Sequence, residues 1–183
     1  MYEIIHTKAI IFLERQDKEY DKVFFIFSEE LGLTSVTTPG ILKPGAKLNS
    51  IIQPLRIISA DIIVGKTTKK MTTVLETRSF ETLFHHAHTK KSVLKIFEFI
   101  ITLVPRHVEV REIYTLFEAF IIQLLETTEK ESITRLETEV LHKMLHILGY
   151  DDSDFTDDPS FFERPNHKKL LHRVNKTLKE INI

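Results

Sequence analysis

The chain is predicted to be α+β, a five-stranded β-barrel followed by an all-α domain, and three observations predict it. Five short runs rich in β-branched and aromatic residues fill the first 78 positions. Apolar residues after position 79 recur instead at helical spacing. With 42% hydrophobic residues in 183, the chain has enough apolar material for a sizeable core and room for two small domains, 1–78 and 79–183.

The first two runs, Ile4 to Leu13 and Val23 to Phe27, flank a polar hairpin candidate, Glu14 to Glu19. Gly32 precedes the third, Leu33 to Thr38. Pro39-Gly40 and Pro44-Gly45 then break regular structure. The fourth spans about Leu55 to Val64 and the fifth Met71 to Arg78, with Gly65 to Lys70 between them. Closing such strands into a barrel removes exposed edges. Phe24, Phe25 and Phe27 are expected in its core.

A helix is predicted from Lys90 to Val104, capped by Thr89, stopped by Pro105, and central because it is apolar on nearly every side. Val110 to Leu124 and Ile133 to Leu148 form two amphipathic patterns. Thr128 and Glu131 suggest a capping box before the second, and Gly149 a left-handed residue after it. Asp151 to Pro159 reads as an acidic solvated loop, and Leu170 to Ile181 as a last amphipathic helix.

Absent cysteine removes disulfides, thiolate metal sites and a thiol nucleophile, and it suits a reducing compartment. Met1 to Lys8 lacks the basic flank and long apolar run of a signal peptide. Val93 to Val104 is too short and too interrupted to span a bilayer. A cytoplasmic protein without membrane contact is expected. Net charge is −1, divided as +2 over residues 1–80 and −3 over 81–183, so any polyanion binding must come from local patches.

The catalytic patterns searched for are missing: Gly-x-Ser-x-Gly, the phosphate-cradling glycine loop and His-Glu-x-x-His. No enzyme activity, cofactor or metal is expected. His85, His86 and His88 are close in sequence, but neighbouring helical side chains diverge, which favours a solvated face over a metallohydrolase site. The basic residues are more informative. Lys66, Lys69 and Lys70 lie between the fourth and fifth strands, Arg78 at the end of the fifth, and Lys43 and Lys47 in the loop after the third. In a barrel of the oligonucleotide-binding type, inter-strand loops flank the face that holds single strands. Solvated hairpin lysines are the alternative.

Several segments follow one another in order. Glu19-Tyr20-Asp21-Lys22 leads into Val23-Phe24-Phe25-Ile26-Phe27-Ser28-Glu29-Glu30-Leu31-Gly32. Gly40 and Ile52-Gln53-Pro54-Leu55 come next, then Leu116-Phe117-Glu118, Arg135-Leu136-Glu137 and Leu148-Gly149-Tyr150. Over residues 4–150 this series resembles the RecO family of bacterial recombination mediators. Its members show Gly-Glu-x-Asp, Phe-Thr-x-Glu-x-Gly, Leu-Gln-Pro-Phe, Leu-Phe-Glu, Arg-Phe-Glu and Leu-Gly-Tyr at these places.

The resemblance implies an oligonucleotide-binding barrel and a helical domain in a cytoplasmic, nucleoid-associated DNA repair protein. Such a protein binds single- and double-stranded DNA, anneals strands and assists recombinase loading. It also implies a RecR-like partner and the C-terminal tail of single-stranded DNA-binding protein, with Arg135 carried over as the tail contact; an ordinary surface arginine is the alternative. Two departures stand out. Pro39-Gly40-Ile41-Leu42-Lys43 replaces the family's Lys-Gly-Ala-Arg loop, and the four-cysteine zinc site of many relatives cannot exist here. The weak loop charge favours a second reading, a protein-interaction adaptor with little direct DNA binding.

Overall fold

The computed structural model describes residues 2–105, 110–150 and 176. Five strands, β1 (Glu3–Gln16), β2 (Lys22–Ser28), β3 (Gly32–Thr38), β4 (Arg56–Val64) and β5 (Lys69–Ser79), precede three helices, α1 (Ala87–Leu103), α2 (Arg111–Glu126) and α3 (Lys130–Ile147). The α+β expectation therefore holds. The chain divides into two compact units, Met1–Thr82 with Val104–Tyr114 and Leu83–Leu103 with Thr115–Ile183. Val104–Tyr114 thus groups with the strands, whereas a cut at 78/79 puts it in the helical half. The acidic stretch 151–159 and the predicted helix 170–181 lie outside the described residues.

In the first unit the strands hydrogen-bond in the order β1-β2-β3-β5-β4 and close. β1 pairs with β4 through its first half, from Glu3 opposite Val64 to Ile11 opposite Arg56, and with β2 through its second. A bulge at Phe12, between Ile11 and Leu13, separates the registers and bends the strand, as closure requires. Two more bulges interrupt β5 against β4. β3 and β5 meet through one parallel pair, Thr37 with Lys70. Alternate residues such as Ala9, Ile11, Phe24, Ile26, Val36, Ile58, Ala60 and Ile62 fill the interior. Ile41 and Ile52, from the loop between β3 and β4, join the same core.

Ile10 and Phe27 are fully buried as well, so β1 and β2 are covered on both faces, which explains their unbroken apolar runs. Tyr114 packs on Phe27 at 5.7 Å between ring centroids, and Arg111 pairs with Glu29 at 3.6 Å and with Glu30. Phe25 departs from expectation. It is 40% exposed and lies under the Arg15 guanidinium, because the strand period sends it opposite to Phe24.

In the second unit, α1 begins at Ala87, before the predicted cap. Thr89 does not cap it: its hydroxyl donates to the Leu83 and His86 carbonyls instead of accepting from the helix. Nor is α1 enclosed on all sides, since Leu94 and Ile101 are exposed while Val93, Ile96, Phe99 and Ile100 are buried. The predicted capping box does not form either; Glu129 is the N-cap of α3 and makes no side-chain cap bond. Gly149 does end α3 in the left-handed region, at φ +75°, with Tyr150 N–H reaching the Leu145 carbonyl at 2.9 Å.

Glu137 ties α3 to α1. One carboxylate oxygen accepts from Lys95 Nζ at 2.8 Å and the other from the Ser92 hydroxyl. Only 14% of the Glu137 side chain is accessible, and Ser92 is buried. Removing the carboxylate leaves two donors short of a partner. Glu137→Ala is expected to lower stability by roughly 1–3 kcal/mol in urea unfolding, whereas Glu126→Ala at the exposed end of α2 should change it by less than about 0.5 kcal/mol.

Candidate functional site

The outer face of the β1–β4–β5 ladder carries the candidate site. Strand alternation sends Thr7, Ala9, Ile58, Ala60 and Ile62 inward, and Ile4, His6, Lys8, Ser59, Asp61 and Ile63 outward. The β4–β5 connection is a tight turn in which Gly65 N–H donates to the Thr68 carbonyl at 2.9 Å. A β-carbon at position 65 would stand 3.1 Å from that carbonyl oxygen, a tight approach that favours glycine in the turn, and 3.5 Å from the neighbouring Tyr2 ring, an ordinary contact. A cavity of about 550 Å³ opens there, lined by Tyr2, Ile4, Ile63, Lys66, Thr68 and Lys70 among others. Tyr2 is 80% and Ile4 68% exposed.

The cavity gathers two of the six basic positions singled out in the sequence. Lys66 sits in the turn. Lys69 and Lys70 are not loop residues but the first two of β5, opposite Val64 and Ile63. Lys69 is half-buried, while Lys66 and Lys70 are exposed. Neither of these two makes an ion pair among the described residues. Arg78 is opposite Ile57, eight positions along β5 from Lys70, or roughly 25 Å at the rise of a strand. It belongs to the other end of the ladder.

Lys43 and Lys47 are exposed in the loop between β3 and β4. The aliphatic stem of Lys43 covers Gly40, and Lys47 opens a single 3₁₀ turn, Lys47–Ser50. That loop is clasped to the β1–β2 hairpin. Gly40, at φ +70°, donates its N–H to Asp21 Oδ1 at 2.8 Å, and Leu42 N–H reaches the Tyr20 carbonyl at 3.0 Å. In the helical unit Arg135 is exposed on α3. His85, His86 and His88 are exposed too, and no group of metal-ligating side chains is found among the described residues.

Two features of this face escaped the sequence reading. Tyr2 precedes the first apolar run, so periodicity gave it no role; only an aromatic residue close to a strand start hinted at it. The other is a hydrogen-bonded row beside the cavity. His6 Nδ1 meets Asp61 Oδ1 at 2.9 Å, and Ser59 Oγ meets His6 Nε2 at 3.2 Å. The residues come from cross-strand pairing, His6 opposite Asp61 and Lys8 opposite Ser59, and cannot be found from spacing alone. The connectivity is that of a nucleophile, a base and an orienting carboxylate. However, Ser59 lies in the central strand of the ladder, paired with Lys8 on one side and Glu76 on the other. Backbone N–H groups there point along the sheet toward neighbouring strands, not toward an oxyanion above it. A cross-strand clasp accounts for the row.

No helix among the described residues is long and apolar enough to cross a membrane. The β4–β5 turn is thus a place where two cations, an aromatic ring and exposed aliphatic surface converge, suited to an anion that also carries a flat apolar group. No model of a known protein family matches the chain, and neither does any characterised protein.

Proposed function

We propose that the chain is a non-enzymatic, RecO-like DNA-binding mediator whose barrel is of the oligonucleotide-binding type. The observation that carries this reading is the cavity at the β4–β5 turn, with Lys66, Lys70 and Tyr2 around it. The strand order and the nearly open β3–β5 seam agree with that barrel type, and the β4–β5 loop is one of the two through which such barrels bind oligonucleotides. Lysines without ion-pair partners release counterions when they meet phosphates, so a chain of net charge −1 can still capture a polyanion locally.

On this reading the barrel captures single- and double-stranded DNA, strand annealing follows from holding strands together, and the helical unit docks partner proteins. Arg135 would meet the acidic tail of a single-stranded DNA-binding protein, a RecR-like protein would be a second partner, and recombinase loading would be the outcome. The setting is cytoplasmic and nucleoid-associated.

Replacing Lys66, Lys69 and Lys70 together by alanine is expected to weaken single-stranded DNA binding roughly tenfold at low salt. It should also flatten the dependence of log affinity on log salt by about 0.7 per phosphate-contacting lysine lost. Arg78→Ala, at the far end of β5, should leave affinity within about twofold. Fluorescence anisotropy of labelled oligonucleotides reads both. Absence of binding by the unaltered protein even at low salt would hand the role to the adaptor reading.

A second reading has one observation behind it, the Ser59–His6–Asp61 row. An activated serine hydroxyl forms a covalent adduct with a fluorophosphonate reagent. Mass spectrometry of the treated protein is expected to show no adduct. Stoichiometric labelling that disappears in both Ser59→Ala and His6→Ala would replace the DNA-binding reading with a hydrolytic one.

A further inference from the structure

Tyr2 and Ile4 present large apolar surface to water on an outer strand face. Isolated exposed apolar residues are ordinary, but these two line one cavity with Lys66 and Lys70. The volume, about 550 Å³, lies in the range of small-ligand pockets. The ring of Tyr2 lies beside Gly65, 3.5 Å from where a β-carbon at that position would stand, and so next to the turn that carries Lys66.

We propose that this cavity is a subsite for one unstacked nucleobase and its adjoining phosphates. Tyr2 stacks on the base, Ile4 and Ile63 cover its apolar edge, and Lys66 and Lys70 neutralise the phosphates. The inference rests on the nucleic-acid reading above and adds to it the element that selects single strands. A duplex offers its phosphates but keeps each base stacked between neighbours, so only the lysines find a partner there. An unpaired strand offers both groups. Stacking on an aromatic ring is sequence-tolerant, because every base has a π-face. DNA and RNA share this chemistry, and the subsite accepts either.

The 183-residue chain, tagged only at the C-terminus, is titrated with labelled oligo(dT), an oligo of abasic tetrahydrofuran units of equal length, a mixed-sequence duplex and oligo(U). Oligo(dT) and oligo(U) are expected to bind alike, and both roughly tenfold more tightly than the abasic oligomer or the duplex. Tyr2→Ala should remove that advantage while leaving abasic binding unchanged. Tyr2→Phe should keep it, and Lys66→Ala with Lys70→Ala should weaken every strand. The chain has four tyrosines and no tryptophan, so quenching of tyrosine emission by oligo(dT), lost in Tyr2→Ala, reports the stack directly. Unchanged melting temperatures in the variants secure the comparison. Equal affinity for base-bearing and abasic strands, or an unaffected Tyr2→Ala, overturns the stacking subsite and leaves the phosphate-binding reading standing. Failure of the unaltered protein to bind any strand at low salt overturns that reading and this one together. Competition by thymidine monophosphate as strong as by oligo(dT) overturns the strand assignment in favour of a free nucleotide.

Discussion

The division of β1 between two partners is the constraint on which the strand unit depends. A strand of fourteen residues is longer than any one neighbour needs. Its first half is committed to β4 and its second to β2, with Ala9 to Ile11 shared by both. The bulge at Phe12 lets the strand turn from one to the other without breaking either ladder. Closure follows from this arrangement, because β4 then carries β5 on its free edge and β5 reaches β3 at Thr37 and Lys70. The same pairing lays the start of β1 alongside the β4–β5 turn. Tyr2 and the turn lysines line one cavity because Val64 pairs with Glu3 on one side and with Lys69 on the other.

Much of this was legible in the chain. Each of the five strands was read within about three residues, since Ile- and Phe-rich runs bounded by Pro-Gly or charged turns have no competing interpretation. Gly149 was equally legible, as a residue that must take positive φ at a helix end. The failures each have a physical origin. Thr89, Thr128 and Glu131 have the right chemistry for caps, yet residue type does not decide which backbone group such a side chain meets. Thr89 donates backward to Leu83 and His86. Phe25 was misplaced because three phenylalanines in four positions hide the period of two. The His6–Asp61–Ser59 row depends on residues 53 and 55 positions apart, and only the register reveals it.

The segments behind the family resemblance acquire physical roles of their own. Asp21 accepts from Gly40, so the hairpin motif and the glycine of the following loop are two halves of one contact. Ser28 Oγ meets Thr7 Oγ1 at 2.9 Å and accepts from Leu31 N–H, building the turn that Gly32 finishes at φ +61°. Glu29 and Glu30 hold Arg111. Leu55, a non-glycine residue at φ +60°, donates its N–H to the Ile11 carbonyl and accepts from Phe80 N–H, joining β1 to the segment that leaves β5. Glu137 clamps α1 to α3. These residues of the resemblance serve architecture.

That distribution separates two questions which a motif comparison merges. Residues that satisfy buried donors, left-handed turns and helix clamps are bound to a backbone geometry, so they speak to fold and not to ligand. The proposed nucleic-acid contacts lie elsewhere, on Lys66, Lys70 and Tyr2, at positions the motifs do not include. The departure in the 39–43 loop bears on the same point. With Pro39, Ile41 and Leu42 there, Ile41 is drawn into the barrel core and Lys43 folds over Gly40, so the loop serves packing more than charge. Cations remain concentrated at the opposite side of β4, where the turn lysines face open solvent. In this chain the exposed lysines Lys66 and Lys70 and the Tyr2 ring gather instead at the turn between β4 and β5, which is why the proposed contact surface is set there and not on the 39–43 loop.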